Sequence, residues 1–276
     1  MVFDFCRKNL ARSIVIVVIV ALLAIYAYFK GYRTINQFES KSSQGKKEMS
    51  VTKEFFLLAP TAKATATVIF LHGLGDTGSG WSLAFNEFKQ KHIRYIFPNA
   101  PSIPVTLNHG MVMPAWYDLV AINPRGPEDE NGIKKSADKL RELIRKETTD
   151  HQIPSNRIVI GGFSMGGALA LYTALTHPEQ LGGVIALSSY LPLNEQFKTG
   201  KVSLQNQKCN IFQGHGDMDP MVAPDFGKAT HQILKAGRSS LGASTELKMY
   251  PNCGHSSCDD ELDDVKNIIN KWLPEI

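Results

Sequence analysis

The chain has 276 residues, of which 43% are hydrophobic and 20% are charged, as in a globular protein that can bury a sizeable core. Residues 1–50 hold eight lysines and arginines and three acidic residues, which leaves 22 of the 30 basic and 23 of the 26 acidic residues to the rest of the chain. This nearly neutral remainder argues against the basic surface of a nucleic-acid-binding protein. Four cysteines and no Asn-x-Ser/Thr sequence argue against a disulfide-rich, secreted protein.

Residues 13–29, SIVIVVIVALLAIYAYF, carry no charge and lie between basic residues. A helix of this length rises about 25 Å, close to the ~30 Å hydrocarbon core of a bilayer. We therefore predict an uncleaved membrane anchor. A secretory signal peptide is the alternative, although no small-residue cleavage pattern follows the run. A helix buried in a globular core is disfavoured, because the run is apolar on every face and a polar stretch follows it.

Basic residues flank this anchor unequally. Three precede it (Arg7, Lys8, Arg12) and five follow within about 20 residues (Lys30, Arg33, Lys41, Lys46, Lys47). By the positive-inside rule, the C-terminal side is predicted to be cytosolic. The Ser/Lys/Gln-rich stretch up to residue 50 predicts a flexible linker, so the domains are 1–50, anchor and linker, and 51–276, the globular body. Met49 offers a start for a shorter cytosolic form.

Strands and helices alternate along the globular body. Apolar and β-branched runs predict strands near Phe55 and at 67–73, 94–98, 157–162, 182–189, 209–214 and 246–250. Apolar residues at helical spacing predict helices from Trp81 to Phe88, Ile133 to Ile144, Met165 to Leu175 and Leu262 to Trp272. This alternation predicts one α/β domain with a parallel sheet that is covered by helices on both faces.

The sequence Gly162-Phe163-Ser164-Met165-Gly166 joins a predicted buried strand to an Ala/Leu-rich helix. The G-x-S-x-G pattern at such a junction is typical of a nucleophile elbow, in which the glycines make room for the strained backbone of the serine. The hydroxyl then projects above the carboxyl edge of the sheet, beside the amide groups of a helix N-terminus. A glycine-rich turn with an incidental serine is the alternative, which the flanking strand and helix disfavour.

A serine nucleophile needs a base and an acid, which follow it here in the order Ser, Asp, His. His255 comes after the last predicted strand and is the candidate base, whereas His215 comes too early in this order. A helix-capping or surface histidine is the alternative interpretation of His255. For the acid, Asp219 is favoured because the proline after it sets an extended turn. Asp217 is better suited to turn amides and stays an alternative.

The glycine-rich stretch FLHGLGDTGSG, residues 70–80, follows an early strand. We predict that it supplies one oxyanion donor, the backbone N–H of Leu74, and that the N–H of Met165 is the other. The stretch lacks the G-x-G-x-x-G order and the Lys-Ser/Thr pair of a phosphate-binding loop. The two cysteines that flank His255 lack a fourth metal ligand, so we predict neither a metal nor a cofactor.

Several stretches resemble the acyl-protein thioesterases, also described as lysophospholipase-like carboxylesterases. These are FLHGLGDTGSGW, NAPSIPVTLNHGMVMPAWYD, GGFSMGGALALYTAL, HGDMDP and GHSSC, in collinear order over about residues 52–275. The resemblance implies an α/β-hydrolase fold for residues 51–276, with a mostly parallel sheet flanked by helices. The anchor helix predicted above precedes this domain, and the first 50 residues lie outside the resemblance.

The resemblance also implies roles for individual residues. Ser164, Asp219 and His255 correspond to the catalytic triad, and the backbone amides of Leu74 and Met165 to the oxyanion donors. Asp219 is thereby preferred to its alternative. A methionine at 165 departs from the glutamine that is usual in the family, which a backbone donor tolerates.

A second departure concerns the acyl site, because Tyr190 stands where the family often has tryptophan. The apolar stretch 104–116 is a candidate lining for an acyl groove, since its methionines adapt to flexible chains. The alternative is that this stretch forms the core of a loop.

The resemblance implies hydrolysis of S-palmitoyl cysteine on proteins, with lysophospholipids as a second class of substrate. The partners would be S-acylated proteins or lipid esters, a membrane through the anchor, and no nucleic acid. Two alternatives stay open. One is a carboxylesterase for small soluble esters, and the other is a non-catalytic binding scaffold, which has no need of nucleophile, base, acid and oxyanion loop together.

Overall fold

The computed structural model describes residues 49–51, 54–122, 126–199, 206, 208–238 and 244–276. The predicted anchor at 13–29 and most of the linker lie outside these residues. Within the described part of the chain, none of the helices combines the length and apolar character that crossing a bilayer requires.

The described residues form ten strands and six α-helices. The strands are β1 (Met49–Val51), β2 (Phe55–Leu58), β3 (Ala66–Leu71), β4 (Ile93–Pro98), β5 (Ser102–Val105), β6 (Met111–Pro114), β7 (Ile158–Phe163), β8 (Gly183–Leu187), β9 (Asn210–Gly216) and β10 (Thr245–Tyr250). The helices are α1 (Gly78–Asn86), α2 (Glu130–Asp150), α3 (Met165–Thr176), α4 (Asn194–Lys198), α5 (Pro224–Arg238) and α6 (Asp259–Trp272).

Eight strands form one sheet in the order β1-β2-β4-β3-β7-β8-β9-β10. The strands from β4 to β10 in this order are parallel to one another. At the other end of the sheet, β2 is antiparallel to β4, and the edge strand β1 is antiparallel to β2. Every residue of β3 and β8 is buried, as expected for parallel strands covered on both faces. The predicted α/β alternation and the mostly parallel sheet are confirmed.

Two hydrophobic clusters cover the two faces of the sheet. On one face, helices α2 and α3 contribute residues such as Ile133, Leu140 and Leu169. On the other, α1 and α6 contribute Phe85 and Val265. The spacing of apolar residues along each helix therefore predicts which side of that helix meets the sheet.

Strand register determines which loops are neighbours at the carboxyl edge of the sheet. Leu71 of β3 pairs with Gly162 of β7, so the glycine-rich loop after β3 begins beside the serine turn. Gly216 of β9 pairs with Tyr250 of β10, so the loops that follow these strands also run side by side. The parallel sheet thus collects residues that are far apart in the sequence.

Some elements are not predicted by the sequence. Pro104 and Pro114 interrupt the alternation that would mark the β5–β6 hairpin, which lies outside the main sheet. Strand β1 has only three residues and begins at Met49, slightly ahead of the predicted boundary at 51. Helix α5 is not among the predicted helices, although Pro224 at its first position is a helix start signal.

Candidate active site

Ser164 occupies the turn between β7 and α3, with φ 52° and ψ −121°. This region is sparsely populated by residues other than glycine, and the surrounding structure must hold it in place. The Ser164 amide donates to the Leu187 carbonyl at 2.8 Å, and the Ser164 carbonyl accepts from the Ser189 hydroxyl at 2.8 Å. A Cβ atom on Gly166 would lie 2.3 Å from the Leu71 carbonyl oxygen, so only glycine fits there.

The structure brings Ser164, His255 and Asp219 into one hydrogen-bonded chain. His255 Nε2 lies 3.0 Å from Ser164 Oγ, and His255 Nδ1 lies 2.7 Å from Asp219 Oδ2. His255 is half-buried and its ring is 4.8 Å from that of Phe163 between centroids. The loops after β7, β9 and β10 each supply one of the three side chains, as the order of the strands in the sheet requires.

Asp219 is buried, and its carboxylate is held by amides of its own loop and faces the loop that follows β10. Oδ1 accepts from the amides of Met221 and Val222, each at 2.9 Å, which leaves Oδ2 directed at the histidine. Asp217 is exposed, and its Oδ1 accepts from the Asn252 amide at 2.8 Å. Of the two candidate acids, the structure therefore places Asp219 against His255 and Asp217 in a turn.

His215 lies beneath the loop that carries Asp219. Its Nε2 donates to the Val222 carbonyl at 2.8 Å and is 3.6 Å from Asp219 Oδ2. Burial lowers the pKa of His215, although the Val222 carbonyl and Asp219 oppose this shift. The neutral imidazole holds the loop in place through Val222, whereas the serine hydroxyl is bonded to His255.

His72, which was not among the residues predicted from the sequence, organises the glycine-rich loop after β3. Its Nε2 accepts from the Ala100 amide at 3.0 Å, so its Nδ1 carries the proton and donates to the Gly73 carbonyl at 2.7 Å. Trp116 Nε1 donates to the His72 carbonyl at 2.8 Å. Burial lowers the pKa of His72, which favours this neutral form. Its position directly after a buried strand and before glycine was the available signal.

Two backbone amides remain available beside the serine. Met165 is the first residue of α3, so its N–H has no acceptor within the helix. Within the described residues, the N–H of Leu74 also makes no hydrogen bond, whereas the next amide, of Gly75, donates to the Pro114 carbonyl at 2.8 Å. The Met165 side chain is buried, and its Sδ accepts from the Trp116 amide at 3.4 Å. The hairpin is thus joined to the glycine-rich loop at Gly75, the residue after Leu74, and the Trp116 segment that follows the hairpin is joined to the serine turn at Met165.

A mainly apolar cavity of about 310 Å³ lies among the loops at this edge of the sheet. The segment 117–122, Tyr190 and two side chains of α5, Phe226 and Ile233, contribute to its lining. The hydroxyls of Tyr117 and Tyr190 meet at 3.4 Å. Residues 104–116, which the sequence suggested as the lining of an acyl groove, do not line this cavity. The residues that do line it begin at Tyr117, directly after that stretch.

The hairpin itself carries exposed apolar side chains. Met111 and Val112 are 63% and 65% exposed, whereas Met113 packs against the core. The candidate stretch is therefore neither a groove lining for this cavity nor wholly loop core. No group of three or more His, Cys, Asp or Glu side chains within the described residues is arranged to bind a metal ion.

The sequence matches the phospholipase/carboxylesterase family over residues 52–273. It is 44% identical over 231 residues to acyl-protein thioesterase 1 of Neurospora crassa, covering 80% of this chain and 92% of that protein. It is 42% identical over 224 residues to acyl-protein thioesterase 1 of Mycosarcoma maydis, covering 77% of this chain and 93% of that protein.

A solved structure agrees with these sequence relatives. The crystal structure of Zea mays acyl-protein thioesterase 2 superposes with a TM-score of 0.71 at 29% sequence identity. The match covers 79% of this chain and 98% of the maize chain.

Proposed function

The chain belongs to the phospholipase/carboxylesterase family, and from that premise we propose that it is an acyl-protein thioesterase, a serine hydrolase that removes long-chain acyl groups from protein cysteines. The observation that carries the proposal is the hydrogen-bonded chain from Asp219 through His255 to Ser164, at 2.7 and 3.0 Å. The relatives named acyl-protein thioesterase support the choice of substrate. S-Palmitoyl cysteine is the principal substrate, and lysophospholipids are a second class.

We assign Ser164 as the nucleophile. Its Oγ attacks the thioester carbonyl carbon while His255 Nε2 takes the hydroxyl proton, and Asp219 Oδ2 accepts from Nδ1–H and so holds the required tautomer. Collapse of the tetrahedral intermediate breaks the carbon–sulfur bond, and the cysteine sulfur leaves with the proton from His255. A thiolate leaves readily because the pKa of a free cysteine is only about 8.5.

Water then resolves the acyl-enzyme. His255 removes a proton from the water, whose oxygen attacks the ester carbonyl, and returns that proton to Ser164 Oγ as the fatty acid leaves. In both steps the amides of Leu74 and Met165 donate to the carbonyl oxygen as negative charge develops on it. The His72 contacts hold the Leu74 loop in place for this role. These steps use only protein groups and water.

We assign the acyl chain to the 310 Å³ cavity. Tyr190, which contributes to the lining, directly follows Ser189, and Ser189 donates to the Ser164 carbonyl at 2.8 Å. Phe226 lies in the helix that follows the Asp219 loop. The cavity is thus connected through short segments to two of the three catalytic side chains, and its apolar lining suits a hydrocarbon chain.

Two measurements test the activity. A fluorophosphonate probe labels an activated serine, so labelling at Ser164 is expected for an enzyme and is absent for a binding scaffold. Turnover of an S-palmitoylated peptide is then compared with that of a short-chain soluble ester. The proposal requires the higher kcat/KM on the palmitoylated peptide. The reverse order would favour a carboxylesterase for small esters, an alternative that the family description supports.

We also propose that residues 13–29 anchor the enzyme to a membrane, with the catalytic body in the cytosol. The uncharged run and the excess of basic residues on its C-terminal side support this assignment. Cytosolic acylated proteins at the same membrane would then be within reach. Protease treatment of sealed microsomes is expected to digest the body without detergent. A body protected until detergent is added would lie in the lumen and would overturn the assignment.

A further inference from the structure

A second histidine approaches the carboxylate of the proposed catalytic acid. His215, near the end of β9, is only 1% exposed, and its Nε2 lies 3.6 Å from Asp219 Oδ2. The same oxygen accepts from His255 Nδ1 at 2.7 Å, so it lies between two imidazole rings. The hydrolytic steps proposed above use the ring of His255 and do not involve that of His215.

Val222 connects the His215 ring to the other oxygen of the carboxylate. The Val222 carbonyl accepts from His215 Nε2 at 2.8 Å, and the Val222 amide donates to Asp219 Oδ1 at 2.9 Å. Val222 is buried, so a carbonyl that lost the histidine would bear the cost of an unsatisfied buried acceptor. Turning toward another partner would carry the residue out of place, together with the amide that holds Oδ1.

The His215 ring is fixed from two sides. The residue pairs with Met249 of β10 in the parallel sheet. On the side of α5, the ring packs against Gly227, where a Cβ atom would lie 2.6 Å from His215 Nδ1 and 3.3 Å from two ring carbons. The ring is rigid and anchored, so it cannot move aside as the end of a flexible side chain would. The absent side chain at position 227 therefore leaves the space that the imidazole occupies.

The His215 ring is neutral. Burial lowers its pKa, the Val222 carbonyl and Asp219 oppose this shift, and the charges of His255 and Lys228 add to it. A neutral imidazole carries one N–H, and donation to the Val222 carbonyl places that proton on Nε2. The ring can thus hold the loop without a positive charge that would offset the negative charge of the neighbouring carboxylate.

We propose that His215 is a positioning residue for hydrolysis, which acts by fixing the carboxylate of Asp219. The effect on rate rests on the proposed hydrolase function. Asp219 holds the tautomer of His255 and stabilises the positive charge that forms when the ring takes the serine proton. A misplacement of about 1 Å costs on the order of 10²-fold in rate. The loss should fall on kcat, because His215 is buried beneath the loop and does not line the acyl cavity.

His215→Met tests this role in the full-length protein in detergent. Methionine fills much of the space of the ring and removes the donor to Val222. We expect kcat for thioester turnover to fall by about 10–100-fold with little change in KM. His215→Gln is the conservative variant, because its side-chain amide can donate to the same carbonyl. It is expected to recover most of the lost kcat.

The pH profile separates positioning from a loss of stability. The acidic limb of kcat/KM reports protonation of the base in the free enzyme. The negative carboxylate of Asp219 favours that inactive, protonated form, so its displacement in His215→Met should move the limb to lower pH. Gly227→Ala is expected to lower kcat and to move the limb in the same direction, because the new Cβ displaces the ring. In the His215→Met background it should add little, since a flexible thioether can move aside.

His92→Met is the matched control. His92 is also a buried histidine whose Nε2 donates to a backbone carbonyl, that of Leu273 at 2.9 Å. It directly precedes β4, at the opposite edge of the sheet from the catalytic loops. We expect this substitution to lower the midpoint of urea unfolding and to leave both kcat and the acidic limb unchanged.

Several outcomes would overturn the inference. One is a kcat per folded molecule in His215→Met that equals that of the wild type. Others are a lower kcat with an unmoved acidic limb, and equal losses in the Met and Gln variants. If His215→Met does not fold, Gly227→Ala decides by the same comparison with the control at position 92.

A measurement that is independent of turnover keeps this inference separate from the proposed function. In protein labelled with ¹⁵N-histidine, the Nδ1–H of His255 bonded to Asp219 should give a downfield proton resonance. We expect His215→Met to lose this resonance and His92→Met to keep it. Its persistence in His215→Met would refute the positioning role. A wild type that shows the resonance but no hydrolysis would contradict the proposed function, and the resonance would still decide the role of His215.

Discussion

Ser164 carries both the backbone strain and the proposed chemistry of this protein. Its positive φ is held by hydrogen bonds to Leu187 and Ser189, so the cost of the conformation is met by the sheet and not by the serine itself. The hydroxyl is thereby presented to His255 at 3.0 Å in the absence of substrate. The reacting groups need no large rearrangement before attack.

Ser164→Ala is expected to remove essentially all hydrolysis. The substitution deletes the nucleophile and keeps the backbone contacts, so the loss in kcat should be on the order of 10⁴–10⁶ with the fold retained. The measurement is thioester turnover on protein whose folding is verified by circular dichroism. A variant that keeps a tenth of wild-type turnover would contradict a serine mechanism.

Asp219→Asn is expected to lower kcat by about 10³–10⁴. The side-chain oxygen of the new amide would still accept from Met221 and Val222, which turns its NH₂ group toward His255 Nδ1. The imidazole is then held in the tautomer that cannot accept the serine proton. Steady-state kinetics at equal folded fraction measures the effect.

Asp217→Asn is the matched control two residues away. Its side-chain oxygen can still accept from the Asn252 amide, so only the charge of an exposed turn residue changes. We expect a small effect on stability and little on kcat. If this variant loses more kcat than the one at 219, the two aspartates have been assigned the wrong way round.

At the scale of secondary structure, the junction between β7 and α3 tolerates no side chain at Gly166. A Cβ atom there would lie 2.3 and 2.5 Å from the carbonyl oxygens of Leu71 and His72. Because these contacts are to backbone, neither partner can move aside as a flexible side chain would. The close approach also keeps the glycine-rich loop against the serine turn.

Gly166→Ala is therefore expected to destabilise the protein by about 3 kcal/mol, as overpacking against rigid neighbours does. The midpoint of urea unfolding measures the change. Gly80→Ala is the control, because Gly80 is exposed in α1 and its new Cβ would meet only Asp76 Oδ1 at 3.9 Å. Helix propensity predicts a gain of about 0.5–1 kcal/mol there. Equal losses at both positions would refute the steric argument.

Glu261 in the first turn of α6 is buried, and neither of its carboxylate oxygens has a hydrogen-bond partner within the described residues. Burial, then the charges of Asp264 and Asp219, raise its pKa from 4.5 to about 8. Between these two pH values the folded protein holds a proton that the unfolded chain has released. The free energy of unfolding therefore falls as pH rises through this window.

Glu261→Gln removes this titration and is expected to flatten the pH dependence of stability. The variant should match the wild type near pH 4.5 and exceed it near pH 8, by on the order of 4 kcal/mol at most. Urea unfolding across this range measures the difference. Asp259→Asn removes an exposed charge from the same helical turn and should leave the slope unchanged. A parallel decline of the Gln variant and the wild type would contradict the assignment.

For the whole molecule, the described fold starts at β1. Removal of residues 1–48 keeps every described strand and helix and all five proposed catalytic groups. We expect a soluble product with unchanged kcat/KM on a soluble thioester, measured after gel filtration without detergent. Aggregation, or loss of turnover in a folded product, would show that the first 48 residues contribute to the catalytic body.

Local patterns alone determined much of this protein. Continuous β-branched runs and helical apolar spacing predicted the strands of the parallel sheet and four of the helices, because burial on two faces leaves a strong periodic signal. The glycines around Ser164 predicted its strand-to-helix turn, because steric crowding is set by adjacent residues. Chain order then pointed to His255 as the base.

Only the tertiary structure decided which groups face one another. Asp217 and Asp219 have the same side chain in the same loop, and the hydrogen bonds from Met221, Val222 and His255 distinguish them. The contact of His72 with the Ala100 amide likewise depends on segments brought together by the sheet. The physical reason is that a side chain's direction depends on the packing of distant strands, whereas periodicity and steric crowding depend on neighbours in the sequence.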